Sequence, residues 1–234
     1  FDLSNGNLDH SIENPNLDNE DEYPGDQIGE KINTLAITDT WTMVGNWREN
    51  EPGALGQGDS GAFFLFNNST GATDQSIYNP KDDAVDADDR FGYAVDLNEN
   101  FAAVGCPGED TDGTNSGRVY VYNPSTGNLV TTISNPNNYI GNNNDRFGES
   151  IAINDNYLAV GALDEDDDDG FSSGVVYIFN TSDWSLANTL KNPNKYTTST
   201  NDRFGYTIRL ANNILVVGVP AESQGSGAVY IYKV

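Results

Sequence analysis

The chain has 234 residues and carries 36 acidic against 11 basic side chains, a formal charge of −25. Nucleic acid and anionic membrane surfaces would repel it and are excluded as partners, whereas cations, or a salty medium that screens the charge, suit it. Cys106 is the one cysteine, so no intrachain disulfide forms, and no apolar run approaches the ~18 residues of a membrane-spanning helix.

The length allows a sizeable core. Glycine, asparagine and aromatic residues are abundant, and long helix-forming stretches are missing. That composition points to an all-β chain with many turns.

In chain order, the first segment is "FDLSNGNLDHSIENP" (1–15), which aligns with "YNPSTGNLVTTISNP" (122–136). It predicts a lone strand at the start. A first repeat follows at about 26–80, with "DQIG" (26–29), "TMVG" (42–45), "GAFFLF" (61–66) and "ATDQSIYNP" (72–80). The second, at 89–136, is sharper: "DDRFG" (88–92), "AAVG" (102–105), "GRVYVY" (117–122) and "NLVTTISNP" (128–136). The third (145–193) and fourth (202–234) repeat "NDRFG", at 144–148 and 201–205, then "LAVG" and "LVVG", then "GVVYIF" and "GAVYIY". In the last three repeats the glycine of the VG phrase follows the glycine of RFG by 13 residues.

Each repeat predicts four short strands. Strand A is "YAVDL" (93–97), "SIAI" (150–153) or "YTIRL" (206–210). The phrases "NEN", "NDN" and "ANN" then make a tight turn, because Asn and Asp tolerate left-handed backbone. Strands B and C are apolar on both faces and expected to be covered on both. Strand D alternates, with Leu129, Thr131 and Ile133 on one side, as an outer, half-exposed strand does. A four-stranded antiparallel sheet with doubly buried inner strands is a β-propeller blade. The chain ends at "VYIYKV" (229–234) without a strand D and starts with one. The expectation is therefore a single domain over 1–234: four blades closed into a ring by the N-terminal strand. The alternative is part of a larger propeller.

These motifs, RFG, VG and VYVY in three registered copies, resemble the FG-GAP repeat, the blade unit of integrin α-subunit propellers, in its bacterial and viral form. The resemblance covers nearly the whole chain, strongly in repeats 2 to 4. It implies a propeller, usually of seven blades, that binds a protein or glycan partner on one face, often in adhesion. Many family members also bind calcium in a DxDxDG loop between strands A and B. Here those turns read "DLNENF", "INDNYL" and "LANNIL", too short and too poor in acids, so the family's calcium residues do not carry over.

Arg90, Arg146 and Arg203 recur in every well-preserved repeat, at the entry to strand A. Their planar forks suit loop carboxylates or carbonyls of adjacent blades, a structural role; an anion-binding ring is the alternative. Phe91, Phe147 and Phe204 are expected between blades, and the glycine after each permits close backbone approach.

Two sets of loops are candidates for binding. "DEDDDDG" (164–170) places Glu165, Asp167 and Asp169 at alternate positions before a glycine, and Asp110 and Asp112 repeat part of the pattern. Alternating oxygen donors suit calcium, although no acid stands at the twelfth position; a solvated acidic loop is the alternative. Tyr23, Tyr139 and Tyr196, set among Asn and Asp in the D–A loops, combine an aromatic face with amides, as sugar-binding surfaces do. Trp47 and Trp184 lie on predicted loops as further surface contacts. Catalysis has little to draw on. His10 is the one histidine and occupies a strand-D position, and zinc ligands and a nucleophile–base pair are missing. The reading is a non-catalytic module for adhesion, attachment or assembly on a cell exterior or virion. A lectin, a purely structural decoration and, last, a glycoside hydrolase with two acids are the alternatives. The partner and oligomeric state are not legible.

Overall fold

The computed structural model describes residues 10–12, 15, 34–49, 59–80, 88–137, 143–166, 171–193 and 200–234. They form four antiparallel sheets in sequence order, the blades of a β-propeller. Blade 1 holds β1 (Leu35–Ile37), β2 (Trp41–Asn46), β3 (Ala62–Asn67) and β4 (Thr73–Tyr78). Blade 2 holds β5 (Ala94–Leu97), β6 (Ala102–Cys106), β7 (Arg118–Tyr122) and β8 (Leu129–Ser134). Blade 3 holds β9 (Phe147–Ile153), β10 (Tyr157–Ala162), β11 (Val175–Asn180) and β12 (Leu186–Lys191). Blade 4 holds β13 (Thr207–Ala211), β14 (Ile214–Val219) and β15 (Ala228–Lys233), with one helical turn, α1 (Glu222–Gly225), before β15.

Burial follows the sequence pattern. Every residue of β6 is buried and so are four of the five in β7, whereas β8 and β12 are mostly exposed and β4 is half so. Each side chain on an inner strand faces one neighbouring blade, and the next faces the other. Phe63 and Leu65 leave blade 1 to meet Phe91, Val95, Leu97 and Tyr122 of blade 2. Val119, Val121 and Ile133 of blade 2 meet Phe147, Ile151, Ile153 and Val160 of blade 3. Val176 and Ile178 of blade 3 meet Phe204, Ile208, Leu215 and Val217 of blade 4. A fully buried Leu, Val or Phe contributes about 1.5–3 kcal/mol each, so these seams carry most of the hydrophobic stabilisation.

The RFG and VG phrases are two halves of one joint. A Cβ on Gly45 would lie 2.1 Å from the Gly92 carbonyl oxygen, and one on Gly105 only 1.9 Å from that of Gly148. Glycine is required there because backbone of one blade lies against backbone of the next. The segment before the RFG glycine docks on the preceding blade. The Phe91, Phe147 and Phe204 N–H groups donate to the carbonyls of Ser60, Ser116 and Ser173 at 3.0, 3.1 and 2.8 Å. The backbone N–H groups of Arg90, Arg146 and Arg203 donate to the carbonyls of Asp59, Asn115 and Ser172 in the same loops. All three arginines take positive φ, 61°, 55° and 59°, an uncommon backbone state held here by the paired hydrogen bonds.

The ring of four closed by an N-terminal strand is not what the described residues form. Packed strand pairs join blades 1 to 2, 2 to 3 and 3 to 4, and the matching contact of blade 4 with blade 1 is not among them. Blade 4 has three strands among the described residues, and residues 1–9 lie outside them. The reason is visible in exposure: Val229 and Ile231 of β15 are 66 % and 70 % exposed, where Val119 and Val121 are fully buried. Among the described residues the four sheets do not close into a ring.

Candidate functional site

The blades have two ends. One end carries the B–C loops, the D–A loops and the arginines. The other carries the A–B and C–D turns.

At the loop end two buried joints recur from blade to blade, each in three of the four. An asparagine closing strand D donates to the aspartate ten residues on: Asn79 to Asp89 at 3.1 Å, Asn135 to Asp145 and Asn192 to Asp202 at 3.0 Å. A buried glutamate after strand B accepts from a strand-C tyrosine: Tyr120 to Glu109 at 2.9 Å, Tyr177 to Glu165 at 2.6 Å, Tyr230 to Glu222 at 2.7 Å. Blade 1 has Phe64 at the tyrosine position, and there Asn46 donates to Glu49 instead, at 2.6 Å. The sequence carried both joints, in the Asn-Pro phrase and in the tyrosine of VYVY, but a lone Asn or Tyr in an Asn-rich chain has no distinctive pattern.

The joints differ electrically. Burial pushes the Glu165 carboxyl up to about 8, with the nearby Asp145 charge adding to it against hydrogen bonds from Tyr177 and Asn135. Asp145 is raised to about 6, by burial first and then by Asp166 and Asp164. Burial also opposes ionisation of Glu109, yet hydrogen bonds from Thr111 and Tyr120 and the Arg118 charge outweigh it and hold that carboxyl below its usual range. Arg118 pairs with Cys106 across the sheet, and the matching partner of Ala162 in blade 3 is Val175. The Thr111 hydrogen bonds and the Arg118 charge at Glu109, against the Asp145 charge at Glu165, separate the two glutamates.

The calcium expectation divides accordingly. In blade 2 the Asp110 carboxylate accepts from the Asn115 N–H at 2.6 Å, and Asp112 pairs with Arg118 at 3.0 Å. Each of these acids meets a protein donor at one oxygen. In blade 3 Asp167 and Asp169 lie outside the described residues. Among the described residues there is no group of three potential ligands arranged for a metal.

The arginines form a belt across the blades. Arg90 lies over the Trp47 ring of blade 1, 5.6 Å from its centroid. Tyr93 packs edge-on against Trp47 and donates to Glu149 at 3.3 Å. Glu149 lies 3.7 Å from Arg146, and Asp164 lies 3.4 Å from both Arg146 and Arg203. Phe91, Phe147 and Phe204 are fully buried in the seams. Trp47, expected as a surface contact, is 7 % exposed because this belt covers it. Tyr23, Tyr139 and Tyr196 lie outside the described residues.

The turn end offers a different surface. Asn98 and Asn154 each fold an A–B turn by accepting two backbone N–H groups, from Asn100 and Phe101 and from Asn156 and Tyr157. Their amide nitrogens reach the next blade, Asn98 to the Asn154 carbonyl at 2.9 Å and Asn154 to the Asn212 carbonyl at 2.6 Å. The turns are thereby held in register. Between blades 2 and 3 they frame a recess of about 640 Å³ lined by Asn100, Phe101, Asn123, Asn156, Tyr157 and Thr181. Thr181 donates to the Asp155 carbonyl at 2.6 Å and stiffens its rim. Trp184 stands beside it, its ring edge-on to Phe101 with centroids 4.9 Å apart, partly buried rather than free. Sequence reading found Trp184 but not the recess, because the recess forms only where the turns of two blades come together.

The chain matches the family model described as "FG-GAP repeat" over residues 81–122 and 141–179, covering the inner strands of blades 2 and 3. A comparison with curated proteins finds no match. Among the described residues no helix is long and apolar enough to cross a membrane.

Proposed function

We propose, from the premise that this chain is an FG-GAP repeat protein built of propeller blades, that it is a non-catalytic binding module for adhesion or attachment, with a glycan as ligand. The recess on the turn end carries this reading. It combines aromatic faces, Phe101 and Tyr157, with amide and hydroxyl groups from Asn100, Asn123, Asn156 and Thr181. Sugar rings stack on aromatic faces and exchange hydrogen bonds with amides. The site lies at a blade seam, where a rigid scaffold presents loops. A location outside the cell or on a particle surface belongs to the proposal.

The acids of the loop end support binding over catalysis. Glu109, Glu165 and Glu222 repeat the same hydrogen bond in successive blades, as joints do. The test is a broad glycan array probed in calcium and then in chelator. The proposal expects binding to a defined glycan class in both conditions, since a single acid, Asp155, lines the recess. Binding lost in chelator moves the site to the acidic loop of blade 3. No binding in either condition refutes the glycan reading and favours a protein partner or an assembly role.

A further inference from the structure

The recess between blades 2 and 3 stays open where the neighbouring seam is bridged, and one turn position accounts for the difference. Three A–B turns are built alike. Thr38, Asn98 and Asn154 each accept two backbone N–H groups on a side-chain oxygen, from the residues two and three places on. The residue after each of them therefore stands at the same place on its blade: Asp39 in blade 1, Glu99 in blade 2 and Asp155 in blade 3.

Glu99 spans the seam between blades 1 and 2. Its carboxylate accepts from the Thr40 N–H at 3.2 Å. The Thr38 hydroxyl bonds to it as well, and hydrogen bonds from Thr38 and Thr40 hold the carboxyl below its usual range.

Asp155 does not repeat this bridge. It is shorter by one methylene, and the N–H that stands where Thr40's does, that of Asn100, is already held by Asn98 at 2.8 Å. Among the described residues no protein donor meets the Asp155 carboxylate. Its backbone carbonyl accepts from the Thr181 hydroxyl at 2.6 Å, which fixes the turn and leaves the side chain on the wall of the recess. The opening of about 640 Å³ falls within the roughly 300–1,000 Å³ of small-molecule sites.

The rest of the wall is uncharged: among the described residues no lysine or arginine lines it. An acidic sugar would set its carboxylate or sulfate against Asp155, in a chain of charge −25, with no lining cation to offset the repulsion. A hydroxylated ligand meets the opposite condition. An ionised carboxylate only accepts, and its two oxygens take O–H donors in the stronger, charge-assisted class of hydrogen bond.

We propose that Asp155 sets the ligand class of the recess: an uncharged sugar, two of whose neighbouring hydroxyls donate to the carboxylate oxygens while the Asn100 and Asn156 amides serve the oxygens beside them. The proposal rests on the glycan reading of the recess and narrows it to neutral glycans.

An array carrying neutral, sialylated and sulfated glycans tests the class on the wild type. Calorimetric titration of the strongest array glycan into D155N, D155E and E99Q then tests the residue. Positions 99 and 155 are exposed, and unchanged circular dichroism and melting temperature certify each fold. Wild-type binding is expected on neutral glycans alone. D155N removes the charged acceptor and D155E extends the arm into the recess as Glu99 extends over its own seam, so each is expected to lose tenfold or more in affinity. E99Q makes the same charge change at the neighbouring seam and is expected to bind as the wild type does. Hits on sialylated or sulfated glycans, wild-type affinity in either Asp155 variant, or equal losses in D155N and E99Q overturn the proposal and leave the glycan reading standing. An array without hits refutes that reading, and the proposal with it.

Discussion

Gly105→Ala is the sharpest probe of the seam. The added Cβ would sit 1.9 Å from the Gly148 carbonyl oxygen and 2.9 Å from its carbon, both backbone atoms of the next blade. No rotamer relieves that contact. Blades 2 and 3 must separate by roughly 1.5 Å to restore ordinary spacing, which strips packing from the whole seam. Overpacking a tight site costs about 1–3 kcal/mol, and a backbone-on-backbone clash falls at the upper end or beyond. At about 2–4 °C per kcal/mol for a chain of this size, the melting temperature should fall by about 6–12 °C. Gly218→Ala is the control. Its new contact is the Thr207 hydroxyl, which a rotation moves aside, so a dilute, low-salt sample should lose under about 1 kcal/mol. Differential scanning calorimetry of both variants decides the matter. Equal losses, or a Gly105→Ala loss below about 1 kcal/mol, would refute the account of why RFG and VG recur together.

Glu165→Gln should change the pH dependence of stability. The folded state raises the Glu165 pKa to about 8, so it binds more protons than the unfolded state, and this contribution is present at acid pH and lost as pH rises from about 4.5 to about 8. The variant should therefore match the wild type near pH 4 and exceed it near pH 9 in urea titrations; a wild type that gains stability over that range relative to the variant contradicts the assignment. Tyr120→Phe should cost about 1–3 kcal/mol, because it takes a donor from the buried Glu109. Asn135→Ala should cost a similar amount and open the blade 2–3 seam first, read as faster amide exchange in β8 and β9. Asp112→Ala, at a partly exposed pair with Arg118, should change the melting temperature by little.

The blades were legible because burial on both faces leaves a plain mark: β6 and β7 read as unbroken apolar runs, and β8 alternates. Repetition made the RFG and VG glycines stand out before their contact was known. The docking of Phe91, Phe147 and Phe204 on serine carbonyls was not legible, since a backbone acceptor leaves no residue type behind. Trp47 was misread because part of its cover, Arg90 and Tyr93, comes from the next blade, more than 40 positions on, beside the neighbouring Arg48. The repeated phrases suggested a closed ring; whether blades close depends on the angle between them, which no local pattern encodes.

The central functional claim is that the turn end, not the loop end, binds the ligand. It is tested most directly by calorimetric titration of the best array glycan into the wild type, Asn156→Ala and Arg203→Ala. Asn156 lines the recess on an exposed turn, and Arg203 lies half-exposed at the opposite end. The account predicts a loss of about tenfold or more in affinity for Asn156→Ala, the worth of a lost hydrogen bond of about 1.4 kcal/mol, and wild-type affinity for Arg203→Ala. Wild-type affinity in Asn156→Ala with weakened binding in Arg203→Ala would contradict it and place the ligand among the acidic loops.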